Sequence, residues 1–368
     1  MWLLALLAAA GCASTKNDLF NLPPDRWAEE VRKRGVDLAD VPDPLAVTVP
    51  MREAAESFAG TGEPLDRLHR LQRSLFDASA FPFRYENRGT FTAAEAFHLR
   101  QGNCLSFTNL FVTLGRSLGI PVTTALVRRA KGGERDGDLI IVNNHVVAAM
   151  RMGTGWEYYD FDTRHEHLIS KPEPLDDMWV TGLFLNNRGA DELRASHPEI
   201  ALRLFEDAAK LAPTFAPAWG NVGVARRRLG DATGALEAYR RALAISADDP
   251  TILGNLAALY SSLGKETEAE MVLKTVKLRL ATPHVLIVRG DLELAQGHVK
   301  AAIHLYKRAR RLGPKLADPW VALARAELAR NRPAAARADL QKALKVDPND
   351  PDAHALLANL NAARPATP

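Results

Sequence analysis

The sequence predicts an α+β domain followed by an all-α solenoid, and three observations carry that reading. Beyond about residue 180, small and large apolar residues recur every 33–34 positions. Between residues 100 and 162, a helix-period apolar face gives way to β-branched runs separated by turn residues. The charge divides at the same place: from Gly182 onward 27 Lys+Arg face 20 Asp+Glu, net +7, while the preceding part is −4. A length of 368 residues fits two or three domains. With 47% apolar and 25% charged residues, disorder is excluded as the dominant state, and two cysteines exclude a disulfide scaffold. No uncharged run reaches the ~20 residues of a membrane span, which excludes a multi-pass membrane protein. The overall charge of +3 is too small to argue for nucleic acid, and no nucleic-acid partner is expected.

Residues 1–10 read MWLLALLAAA, an apolar stretch that ends in Gly11-Cys12 and suits a secretion signal better than a fold element. Ala9-Ala10-Gly11-Cys12 resembles a bacterial lipobox, although no Lys or Arg precedes the apolar run and Ala9 stands where Leu is usual. The resemblance implies that residues 1–12 form a signal peptide and that Cys12 is the lipidated first residue of the mature protein. The lipid would then be its membrane contact. Ala13, with no Asp there, is similar to lipoproteins sorted to the outer membrane, facing the periplasm. A lipidated Cys12 leaves Cys104 without a disulfide partner in the chain. The plainer alternative is a cleaved signal peptide or a buried helix.

Residues 13–63 read as linker and short helices, because Pro23-Pro24, Pro42 and Pro44 punctuate them. Short helices are predicted over 27–33 and 51–58, and a longer one over 64–77. Another is predicted over 93–100, entered through Thr92 with Glu95 three residues on, a capping-box spacing.

The next segment carries chemistry. Phe107, Leu110, Phe111, Leu114 and Leu118 mark one apolar helix face, which Gly119 and Pro121 end. Gly102-Asn103 precede it, so Cys104 lies in the first turn. There the unpaired N–H groups and the macrodipole favour an anionic sulfur. Cys104 also precedes Phe107 and Phe111 by three and seven, which places it on the core side. Residues 122–127 read as a strand, 131–138 as a polar Gly-rich loop and 139–150 as a strand containing His145. Gly153 and Gly155 flank a turn, and 156–161 form a further strand with Asp160 and Asp162 at its end. A cysteine at a helix start is thus followed by a histidine on one strand and a carboxylate on the next. Alone, such a cysteine reads as a small buried hydrophobe and such a histidine as a core residue.

The order resembles the transglutaminase-like superfamily, whose core joins a cysteine-bearing helix to an antiparallel sheet. Gly102-Asn103-Cys104, with the helix ending Arg116-Ser117-Leu118-Gly119-Ile120-Pro121, is similar to its nucleophile segment. Asn144-His145-Val146 is similar to its histidine strand, and Gly155-Trp156 through Asp160 to its tryptophan-to-aspartate strand. The resemblance covers 64–179. It implies Cys104 as nucleophile, His145 as base and Asp160 as the group that orients His145. Those residue types suit attack of a thiolate on an amide carbonyl with proton return through imidazole. Asp162 shares a strand face with Asp160 and is the alternate carboxylate. Gln101 is the candidate oxyanion donor besides the Cys104 N–H. The chemistry needs no cofactor and no metal. His165-Glu166-His167 has chelating spacing, but further ligands are not in evidence. His98 and Asn109 read as structural.

The second half repeats. Ala201, Ala235, Ala269, Ala302 and Ala336 are each followed four residues later by Phe205, Tyr239, Leu273, Tyr306 or Leu340. Gly189, Gly223 and Gly290 share a register, as do Trp219 and Trp320. This resembles the tetratricopeptide repeat, a 34-residue helical hairpin, with five repeats over 182–350 and a capping helix and tail over 351–368. The resemblance implies a stacked solenoid whose groove takes a protein or peptide substrate or partner. Basic clusters at Arg226-Arg227-Arg228 with Arg240-Arg241, and at Lys307-Arg308 with Arg310-Arg311, read first as a solvated face and second as a docking surface for an acidic partner. Two functions are therefore expected in competition. One is cysteine-dependent acyl chemistry, hydrolysis or transfer, on a protein or peptide amide at the bacterial envelope. The other is a non-catalytic envelope scaffold that works through its repeats.

Overall fold

The computed structural model describes residues 19–77, 79–86, 89–127, 145–160, 171–276 and 282–362, and the backbone of 133–136 and 139–142. Cys12, Asp162, Asn144 and His165–His167 lie outside the described residues. The first half opens with α1 (Pro24–Lys33), a 3-10 turn (Leu38–Asp40), α2 (Val49–Ala59) and α3 (Pro64–Phe76). A two-residue strand β1 (Arg84–Tyr85), helix α4 (Ala93–Leu99) and β2 (Gln101–Gly102) lead into α5 (Cys104–Ser117). Thr92 and Glu95 form the expected capping box at α4, each side chain bonded to the other residue's backbone N–H.

Strands β3 (Val122–Val127), β6 (His145–Met152), β7 (Gly155–Tyr159) and β8 (Glu173–Leu175) make one antiparallel sheet in the order β7-β6-β3-β8. Three features differ from the sequence expectation. The segment 131–138, expected to be a loop, contains a strand, β4 (Gly133–Asp136), which pairs with β5 (Leu139–Val142). His145 pairs with Val127 at the end of β3. The Pro172–Pro174 connection also contains a strand, β8. It lies at the sheet edge, where a proline that cannot donate is tolerated.

The third difference concerns the presumed linker, which is packed. Met51, Ala55 and Ala59 of α2 enter a core with Leu68, Leu71 and Leu75 of α3 and Leu110, Phe111 and Leu114 of α5. Trp27 and Val31 of α1 enter a second core with Leu126, Val146, Leu175 and the first solenoid helix. The Trp27 indole N–H donates to Thr181 Oγ1 at 3.1 Å.

The solenoid consists of helix pairs. These are α6 (Asp177–Arg194) with α7 (Pro198–Leu211), α8 (Ala216–Arg228) with α9 (Ala232–Ile245), and α10 (Pro250–Ser262) with α11 (Glu266–Thr275). They continue as α12 (Pro283–Ala295) with α13 (Val299–Leu312) and α14 (Asp318–Ala329) with α15 (Pro333–Val346), closed by α16 (Pro351–Ala362). The repeat register has a direct packing cause. A Cβ at Gly189 would stand 2.7 Å from the Phe205 ring, and one at Gly223 would stand 2.5 Å from the Tyr239 ring. Glycine on one helix thus admits the large residue of the next, and both Phe205 and Tyr239 are fully buried. Some of the basic residues stack on aromatic faces, Arg241 over Trp219 and Arg310 over Trp320.

The first solenoid helix begins at Asp177, five residues before the repeat register. Leu183, Phe184 and Leu185 are buried in the second core beside Leu126, Val146 and Met178. That apolar run packs on the α+β domain, so the two halves share a core.

Candidate active site

Helix α5 starts where the chain forces it to. Asn103 is its N-cap, an ideal residue for the role, and its Oδ1 accepts from the Ser106 N–H at 3.0 Å. Its carbonyl accepts from Phe107 N at 3.0 Å. Gly102 is packed so tightly against Ser106 that a side chain there would collide with it, and its φ of +155° suits glycine. Cys104 is therefore the first helical residue. Its N–H belongs to the helix end that has no intrahelical partner.

The half-buried Cys104 packs against the second core. Cys104 lies close enough to His145, the first residue of β6, to raise the pKa of that imidazole. His145 Nε2 lies 2.7 Å from Asp160 Oδ1. The strand register sets this pair. Ala148 pairs with Tyr159, so Asp160, one residue beyond β7, stands next to Val147 and on the same face as His145. His145 is 5% exposed and the Asp160 side chain 29% exposed, so the carboxylate reaches solvent while the imidazole does not.

The electrostatics favour a charged imidazole. Burial acts first and lowers the His145 pKa, but hydrogen bonds to Asp160 and Cys104, reinforced by their negative charge, raise it to about 9. An imidazolium beside a sulfur at a helix N-terminus is the arrangement that supports a thiolate nucleophile. The Cys104 N–H, which has no partner within the helix, can bond an anion.

The structure thus brings together Cys104, His145 and Asp160. Gln101 stands three residues before Cys104 in β2, with its Oε1 bonded to Arg84 Nη2 at 2.5 Å on the exposed side. Asn109 is fully buried in α5, and its amide atoms have no hydrogen-bond partner.

Sequence reasoning missed the groups that fix α5. At its C-terminal end Arg116 Nη1 and Nη2 bond Asp177 at 3.1 and 2.8 Å, and Arg116 Nε donates to the Val122 carbonyl at 2.8 Å. Leu22 N–H donates to the same carboxylate at 2.7 Å. A basic residue in the last turn of a helix was the only sequence hint for Arg116.

Comparison with known proteins agrees with this architecture. Residues 52–161 match the model of the transglutaminase-like superfamily. Residues 186–250, 227–291 and 293–360 match tetratricopeptide repeat models. The photosystem I assembly protein Ycf3 of Cyanophora paradoxa is 31% identical over 114 residues, 31% of this chain and 53% of that protein. The chain thus spans about half the length of this curated relative. Among solved structures, a thermophilic tetratricopeptide repeat protein of Thermus thermophilus is 24% identical with a TM-score of 0.45. That match covers 49% of this chain and 99% of the other. PilW, a type IV pilus biogenesis factor, is 20% identical with a TM-score of 0.39, covering 50% and 94%.

Proposed function

We propose that this chain, a transglutaminase-like domain joined to tetratricopeptide repeats, performs cysteine-dependent acyl chemistry on a protein or peptide amide and recruits substrate or partner through its repeats. The observation that carries the reading is that His145, bonded to Asp160 at 2.7 Å, is raised in pKa by both Asp160 and Cys104, the first residue of α5. The Cys104 sulfur attacks the carbonyl carbon, a C–S bond forms, and the oxyanion is held by the Cys104 N–H. The C–N bond then breaks as His145 gives its proton to the leaving amine, which leaves a thioester on Cys104. Water or an amine attacks the thioester, loses its proton to His145 and releases the acid or the new amide. Asp160 keeps the imidazole in the required tautomer throughout. We place the protein at the bacterial envelope, anchored through lipid on Cys12 and facing the periplasm from the outer membrane, on the strength of Ala9-Ala10-Gly11-Cys12 alone.

A second reading has its own support. The likeness to a protein named for photosystem assembly lies with repeat proteins that act as assembly factors, which favours a scaffold in which Cys104 does no chemistry. One experiment separates the two. Envelope extract is treated with an electrophilic amide probe, and Cys104 is examined for a trapped acyl group, with Cys104→Ala as the control. A covalent acyl adduct on Cys104 supports catalysis. An unlabelled Cys104 in a folded protein, with partner binding intact in Cys104→Ala, establishes the scaffold.

A further inference from the structure

We infer that the first solenoid helix is a positioning element of the cysteine site, with Asp191 and Arg188 acting on Cys104 through Thr90. The inference rests on the reading of Cys104 as the nucleophile. Asn103, the cap of α5, is held on two sides. Its Oδ1 accepts from Ser106 N and from Ser106 Oγ at 3.1 Å, and its Nδ2 donates to Thr90 Oγ1 at 2.7 Å. Because Ser106 N–H is a fixed donor, the amide can face only this way round. Ser106 Oγ in turn accepts from Phe91 N at 2.8 Å. The segment 90–91 is therefore pinned to the start of α5 at two points, Asn103 and Ser106, one and two residues from Cys104.

Thr90 is 2% exposed, so its peptide groups need partners. Both come from α6. Thr90 N–H donates to Asp191 Oδ2 at 3.4 Å, and Arg188 Nη1 donates to the Thr90 carbonyl at 3.5 Å. Arg188 and Asp191 are three apart and share a helix face. Asp191 is itself held, since its Oδ1 accepts from Arg194 Nη1 at 2.7 Å.

The same helix grips the other end of α5. Asp177 begins α6 and binds Arg116 near the C-terminus of α5. From Asp177 to Asp191 the rise is ~21 Å, and from Cys104 to Arg116 it is ~18 Å, at 1.5 Å per residue. The links run in opposite order along the two helices, Asp177 at the Arg116 end of α5 and Asp191, through Thr90, at the Asn103 end, so α6 holds α5 at both ends. A solenoid helix thereby fixes where the nucleophile stands against His145. Whatever seats on the repeats and displaces α6 alters that alignment, so recruitment and reactivity are linked.

The test uses the full chain with Cys12→Ser, so that Cys104 is the one thiol, and measures its iodoacetamide alkylation from pH 6 to 9. His145→Ala first establishes that the imidazole activates the sulfur, and an unchanged rate there refutes the nucleophile reading itself. Asp191→Ala is expected to slow alkylation at pH 7 roughly fivefold, about the worth of a cap contact, with Asp191→Asn restoring it because an acceptor for Thr90 N–H remains. Thr90→Val, which keeps the backbone bonds to α6 but removes the hydroxyl that Asn103 binds, is expected to slow it as well. If His145→Ala slows labelling while Asp191→Ala and Thr90→Val, both folded by circular dichroism, label at the parent rate, the positioning role is overturned and the site reading stands. If Asp191→Ala does not fold, Thr90→Val decides.

Discussion

Replacing Asp160 by Asn tests the site where its electrostatics are strongest. His145 sits at about 9 instead of 6.5, a preference for the imidazolium on the order of 3 kcal/mol. Burial works against that preference, so the hydrogen bonds and charges of Asp160 and Cys104 supply more than the net amount. Asp160 is the first of the raising partners, although its 29% exposure lets solvent screen part of its charge. An asparagine keeps the size but not the charge. It can also turn its NH2 toward Nε2, which moves the imidazole proton to Nδ1 and changes the tautomer that Asp160 holds. Both effects act in one direction. Alkylation of Cys104 at pH 7 should fall about tenfold, as loss of roughly half the net preference implies. Turnover of an amide substrate should fall by about 10²–10⁴, the range expected when the orienting carboxylate is lost. The assay is the pH profile of iodoacetamide labelling, read by mass spectrometry. An Asp160→Asn protein whose profile between pH 6 and 9 matches the parent would refute the argument, because the carboxylate would then have no hold on the imidazole.

Three further outcomes follow from the same geometry. Since the folded His145 pKa is raised, its stabilising contribution is complete below about 6.5 and is lost as pH rises through about 9. Thermal stability should therefore decline between pH 7 and 10, and His145→Ala should flatten that slope. Asp43 is raised to about 6, by burial above all, so its ionisation costs stability as pH climbs from 4 to 6; Asp43→Asn should add about 1–2 kcal/mol at pH 7.5 and nothing at pH 4, measured by urea unfolding. Asp177→Ala leaves a nearly buried Arg116 guanidinium unpaired and should cost about 3–5 kcal/mol, with Arg116→Met in the same chain recovering much of it; a loss below 1 kcal/mol would mean that Arg116 finds water instead.

The repeats were legible because their cause is local and periodic. A small residue on one helix and a large one on the next recur at the same offset, as Gly189 with Phe205 and Gly223 with Tyr239 show. The start of α5 was legible because Asn is a strong cap and Gly102 precedes it. Strand boundaries were less so. Gly133, Glu134, Arg135 and Asp136 lack the period-2 apolar pattern and read as loop, yet they pair with β5. The packing of α1 was hidden by the prolines around it, although Trp27 and Val31 are buried. The clamp on α5 could not be read at all. Thr90, Asn103, Arg116, Asp177, Arg188 and Asp191 are ordinary polar residues, and only the fold reveals that each has a designated partner.

That clamp bears on how the two halves should be regarded. If the solenoid were a separate docking arm, its first helix would present a polar flank to the α+β domain, and the interface would be small and wet. Instead, α6 contributes Leu183, Phe184 and Leu185 to a core that also contains Leu126 and Val146 of the sheet. Its polar residues Asp177, Thr181, Arg188 and Asp191 bond Arg116, Trp27 and Thr90. Val146 follows His145 directly, and Leu105 of the same core follows Cys104. The residues next to both members of the sulfur–imidazole pair are thus packed in the core that α6 completes. Removing the solenoid would expose that core at the site where alignment matters most. A chain cut after Thr181 should therefore lose stability in its N-terminal piece, measured by urea unfolding, and an N-terminal piece as stable as in the full chain would refute the shared core.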